Sequence, residues 1–126
     1  MNEILNLFKD QWILAGATRE MIEFARRAGE FMANKKVSSS QIRNVYGEVK
    51  RIQMKGFDKD SSSFYLLKPK IAYARGRARG NAVQGIELFE KIFDKCFNLV
   101  KDTPTYENFC KLMEAILAYH KEYSNN

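Results

Sequence analysis

Apolar residues recur at helical spacing along almost the whole chain, which leaves little room for strands. In residues 3–15, Ile4, Leu5, Phe8, Trp12 and Ile13 share one helix face. Gly16 interrupts, Thr18 is placed to cap a second helix, and Met21, Ile22, Phe24, Ala25, Ala28 and Phe31 carry it to Asn34. Ser38 and Gln41 have the spacing of a capping box. Ile42, Val45, Tyr46, Val49 and Ile52 form the next apolar arc, and Gly56 is a natural C-cap. After the polar loop DKDSSS, a fourth helix is expected over 64–78. A fifth runs from Ala82 to Val100, with Ile86, Phe89, Ile92, Phe93 and Cys96 inward. Thr103 as N-cap and Pro104 as first helical residue start the last helix, which buries Phe109, Leu112, Met113, Ile116, Leu117 and Tyr119 or His120 and frays into YSNN. The expectation is an all-α protein: a single compact bundle of five to six helices, with residues 1–126 forming one domain.

Charge is unevenly placed along this framework. Residues 35–80 hold 12 Lys/Arg against 3 Asp/Glu, a net of +9. The rest of the chain is net −3, and the whole is +6. Concentrated positive charge is the footprint of a nucleic-acid binder, whereas an even excess of lysines would only solvate the surface. On the third helix, Arg43 and Lys50 lie about 20° apart and Arg51 about 80° further round, at ~100° per residue. They face away from the apolar arc, with Gly47 among them. Two readings of Gly47 stay open: a flat surface that admits a phosphate chain, or a point of close helix packing.

The stretch KPKIAYARGRARG, residues 68–80, is denser still. In helical projection Leu67, Ile71, Ala74 and Ala78 make a buried strip. Lys68, Arg75 and Arg79 form a basic row on one side of it, and Lys70 and Arg77 another on the far side. Tyr65 and Tyr73 lie outside the strip. Cations beside rings suit single-stranded nucleic acid, and tyrosines packed at helix junctions would look the same in sequence. Pro69 either starts this helix or bends it.

Little suggests chemistry. His120 stands alone and reads as structural, with no nucleophile or metal partner at recognisable spacing. Glu87, Glu90 and Asp94 share a helix face with Lys91 and Lys95 interleaved, so they read as solvated pairs along one helix. Cys96 and Cys110 form no CxxC pair and are expected as buried free thiols. No catalytic, metal or cofactor site is expected. MNEILNLFKDQWIL lacks a basic n-region and does not read as a signal peptide, and no apolar run approaches the ~20 residues of a membrane span. A cytoplasmic location is the expectation.

Three segments in order, SSSQIRNVYGEVKRIQ (38–53), LLKPKIAYARGR (66–77) and NFCKLMEAILAYHK (108–121), resemble the small helical subunit of the type III-A CRISPR effector, the Csm complex. Residues 36–123 are the family-like core, and 1–35 carry no recognised motif. The resemblance implies a non-catalytic subunit without cofactors, present in several copies that stack into a minor filament. Implied partners are the CRISPR RNA, the target RNA, the backbone subunits, the large polymerase-like subunit and further copies of the chain itself. By motif position Arg43, Lys70 and Arg77 are the implied RNA contacts. The arcs add Lys50, Arg51, Lys55, Lys68, Arg75 and Arg79. Arg75 stands where a small residue is usual in that family, and Arg79 is an addition. The rival reading is a helical adaptor whose basic face docks an acidic protein surface.

Overall fold

The computed structural model describes residues 1–124, in which seven α-helices and no strand occur. They are α1 (Asn2–Leu5), α2 (Gln11–Leu14), α3 (Arg19–Asn34), α4 (Ser39–Lys55), α5 (Ser61–Arg77), α6 (Ala82–Phe97) and α7 (Thr103–Tyr123). The five long helices close a ring in the order α3, α7, α4, α5, α6 and back to α3. The α3–α7 interface is the most extensive. Inside the ring Phe64, Phe93, Tyr106 and Phe109 meet with centroids 5.5–5.9 Å apart. The buried apolar side chains form one continuous cluster that extends from this centre to Trp12 and Ile13.

The helix count exceeds the expected five to six because the first predicted helix is two. The chain leaves helical geometry after Leu5 and re-enters it at Gln11. Asn6 and Asp10 frame the break, and both residue types favour helix ends over interiors. The apolar face is kept nonetheless. Ile4, Leu5, Trp12 and Ile13 are buried, and the bend lets Phe8, Trp12 and Phe24 pack edge to face or tilted. Asn108 Nδ2 donates to the Ile13 carbonyl at 2.9 Å and ties α2 to α7. Ile22 was expected inward but is 42% exposed.

Caps explain the remaining boundaries. Thr18 Oγ1 accepts from the Met21 N–H and Ser38 Oγ from the Gln41 N–H, both at 3.1 Å. Only this half of the capping box forms on α4; the Gln41 side chain makes no return bond. Gly56, at φ +105, ends α4. The N-cap of α7 is Asp102, not Thr103, with Pro104 inside the first turn. Asp102 and Thr105 cap reciprocally, and Asp is the better acceptor for that position. The loop before α5 is shorter than DKDSSS, because Ser61–Ser63 are already helical. α6 stops at Phe97, short of Val100. The expected fraying at the end falls on Asn125 and Asn126, which lie outside the described residues; Ser124 hydrogen-bonds back to the His120 carbonyl.

Pro69 neither begins α5 nor ends it: it sits mid-helix, exposed. It cannot donate to the Tyr65 carbonyl, but its ring faces water rather than the core.

Two polar groups fasten α7 to the ring. The Tyr106 hydroxyl donates to the Val49 carbonyl at 2.8 Å, and burial pushes its pKa up. His120 is 1% exposed, and its Nε2 donates to the Val37 carbonyl at 2.9 Å. Burial holds the imidazole below its ordinary pKa, so the fold keeps it neutral. The unfolded chain therefore binds a proton that the folded one resists. The His120 contribution is complete above pH ~6.5, the unfolded value, and is lost as pH falls from there through the lower folded value. Urea midpoints should drop between pH 7.5 and 5.5. His120→Gln, whose amide can still donate but does not titrate, should flatten that slope. An unchanged slope in the variant would assign the pH dependence to other groups.

Candidate nucleic-acid interface

α4 and α5 form an antiparallel hairpin, joined by the Gly56–Asp60 turn, that carries eight of the nine predicted cations, with Arg79 just past the end of α5. The structure sorts those nine residues into groups with different surroundings.

Arg43 and Lys50 project from the outer ridge of α4. Both are exposed, and neither has an ion-pair or hydrogen-bond partner among the described residues. Gly47 lies between them, and a Cβ built there meets nothing within 4 Å. The close-packing reading of Gly47 is thus excluded. Met54, 85% exposed, continues the ridge. Arg43 also lines a groove toward α7 with Ser39, Tyr46 and Glu114.

Arg51 and Lys55 lie at the closed end of the hairpin and are engaged there. Arg51 binds Glu48 at 2.5 Å, Asp60 at 3.3 Å and the Ser63 hydroxyl at 3.0 Å. Lys55 Nζ is 3.7 Å from Asp60. The Arg51 guanidinium holds the Glu48 carboxyl below the usual carboxylate range, and the Ser63 hydroxyl, helped by Lys55 and Arg51, does the same for Asp60. Their charge is largely spent in fixing the α4–α5 turn.

The two basic rows of α5 meet opposite neighbours. Lys68 and Arg75 turn to α6, where Lys68 Nζ lies 3.4 Å from Asp94 and 4.6 Å from the Phe97 ring centroid, and Arg75 Nε 2.5 Å from Glu90. Glu90 and Asp94 therefore pair across helices rather than along α6, contrary to the sequence expectation. Lys70 and Arg77 turn to α4. Lys70 Nζ is 4.0 Å from Glu48, and Arg77 lies over the Tyr73 ring at 5.7 Å. Arg79 folds back on the helix end, donating to the Gly76 and Ala78 carbonyls at 3.1 and 2.9 Å. With Ala78 buried and Gly80 in the left-handed region, RARG (77–80) is a folded end to α5.

Sequence reasoning did not find the second apolar face of α5. Tyr65, Leu66 and Tyr73 are 49, 57 and 67% exposed, and Pro69 and Gly76 share their side of the helix. It also missed Gln41 and Asn44, which line a groove between α4 and α5 with Lys70, Tyr73 and Arg77. The available signal was the angular position of both amides on the α5 side of α4, which means something only once α5 is known to pack there.

Elsewhere Cys96 and Cys110 are free and buried, and burial pushes both thiols up, Cys110 to about 12. Among the described residues no His/Cys/Asp/Glu cluster has metal-site geometry. No helix of the described residues is long and apolar enough to cross a membrane.

Fold and surface together define a small all-helical protein whose positive charge rides on one hairpin. Residues 16–126 match the family model described as Csm2 Type III-A, and the chain belongs to that family. It is accordingly a small structural subunit of the type III-A CRISPR effector, the Csm complex. The match begins at Gly16 and so includes α3, which carried no recognised motif. No curated protein and no solved structure matches the chain.

Proposed function

We propose that the α4–α5 hairpin holds the backbone of the guide and target RNA without reading sequence, and that copies of the chain stack into a minor filament of the effector. The observation that carries this reading is the α4 ridge. Two cations with no ion-pair or hydrogen-bond partner among the described residues flank a glycine that leaves the helix backbone open. Helical glycine costs about 1 kcal/mol relative to alanine and gains nothing here by packing. A close-approaching phosphate chain would account for its presence. Lys70 and Arg77 extend the cationic track onto α5, and pairing with the guide supplies specificity, as in other RNA-guided systems. Several copies in a row strengthen weak single contacts through effective concentration.

The exposed side of α5 favours a second reading, an adaptor that docks a protein surface. Leu66 and Tyr65 give that face apolar area that a phosphate backbone does not use. Titration of labelled single-stranded RNA at several salt concentrations separates the two. If six phosphates are neutralised, the log–log slope should be about −4, from about −0.7 per phosphate. Absence of binding at low salt, by the chain and by the assembled complex, would leave the adaptor reading.

A further inference from the structure

Resting on the RNA-binding reading, we propose that the groove between α4 and α5 receives one unstacked nucleobase of the bound RNA. The groove encloses about 290 Å³, small for a ligand pocket and too small for several stacked bases. Val45, Leu67 and Ala74 line it with apolar surface. Tyr73, 67% exposed, contributes an aromatic ring at the edge of the groove. Gln41 and Asn44 face the groove with side-chain amides that have no hydrogen-bond partner among the described residues. Lys70 and Arg77 line the same groove and supply positive charge for the phosphates next to a captured base.

Each component suits a base better than a protein side chain. A ring stacks on any base, the amides can donate to and accept from a base edge, and the cations neutralise the adjoining backbone. Glu48 is the one anion of the groove, and Arg51 and Lys70 already neutralise it. Arg77 now lies over the Tyr73 ring at 5.7 Å, so the ring already accepts a flat cationic group against it. A base takes that position when the guanidinium moves to phosphate. Backbone contacts on the α4 ridge and base capture in the groove are thus separate functions of one hairpin.

The test uses the full chain and a 12-nucleotide oligouridine carrying one central 2-aminopurine, whose fluorescence falls on stacking. Wild type should quench the probe. Tyr73→Leu should abolish the quench and weaken binding about 5- to 160-fold, the range for one stacked base. Its salt slope should stay unchanged, because no phosphate contact is lost. Tyr73→Phe should keep both signals. Asn44→Ala, at an exposed position, should weaken binding without removing the quench. Wild-type affinity and quench in Tyr73→Leu would overturn the proposal while leaving backbone binding intact. So would equal affinity for a 12-nucleotide ribose-phosphate chain that is abasic at every position, since no base would then be left to enter the groove. If Tyr73→Leu binds RNA normally but no longer co-purifies with the other effector subunits, the groove docks protein and the proposal falls. Failure of both the wild-type chain and the assembled complex to bind any RNA at low salt would instead remove the backbone reading on which it rests.

Discussion

Arg43→Glu, Lys50→Glu and Arg77→Glu combined should weaken single-stranded RNA binding on the order of a thousand-fold at low salt, while the melting temperature stays near wild type. The binding estimate takes each charged contact as about 1.4 kcal/mol, a factor of ten. The salt slope should fall from about −4 to about −2 as three of six phosphate contacts vanish. Stability should hold because, among the described residues, Arg43 and Lys50 have no ion-pair or hydrogen-bond partner and Arg77 has no ion pair, lying over the exposed Tyr73 ring. The triple change brings the formal charge from +6 to zero, so general attraction falls too. Arg19→Glu, Lys91→Glu and Lys111→Glu make the same charge change at exposed positions on α3, α6 and α7. If that control weakens RNA binding as much, net charge and not the hairpin is responsible. A melting shift of more than a few degrees in the first triple would assign those residues a structural role.

Gly29→Ala should have the largest effect on the fold. A Cβ at Gly29 would lie 2.6 Å from the His120 backbone nitrogen and 2.9 Å from the Tyr119 carbonyl carbon. Neither is a flexible side-chain end that can swing away. The methyl group would force apart α3 and α7, the most extensive interface of the ring. A loss of about 2–3 kcal/mol follows from overpacking at such a contact. For a chain of this size that lowers the melting temperature by about 10 °C. Gly47→Ala is the matched control: the same change, also in mid-helix, but into open space. It should stabilise by about 0.5–1 kcal/mol. Thermal melts of the two variants test both directions, and similar shifts would refute the packing argument.

Helix positions were legible in the sequence wherever a strong cap met a long apolar period. Thr18, Ser38 and Gly56 bound α3 and α4 as expected. The first helix was misjudged because periodicity survives a bend: Ile4, Leu5, Trp12 and Ile13 stay buried whether or not Asn6–Asp10 are helical. Projection separated the basic rows of α5, since that depends only on geometry within one helix. It carries no information about what stands opposite. The pairing of Arg75 with Glu90, and of Lys68 with Asp94, needed the α5–α6 contact. The same limit hid the groove: Gln41 looked like a capping residue, and its partner surface belongs to a helix about thirty residues away in the chain.

Pro69 sets a condition on whatever covers the outer side of α5. A proline there gives the Tyr65 carbonyl no N–H from the fourth residue on, and water can supply one while the face is exposed. A surface that sealed this side dry would strand an acceptor, at a cost comparable to a lost hydrogen bond. A tight-fitting neighbour must therefore bring a donor of its own to that point, or leave a water molecule trapped there. Purely aliphatic contact with Tyr65 and Leu66 would be self-defeating. The proline thereby filters the chemistry of the partners this helix can accept.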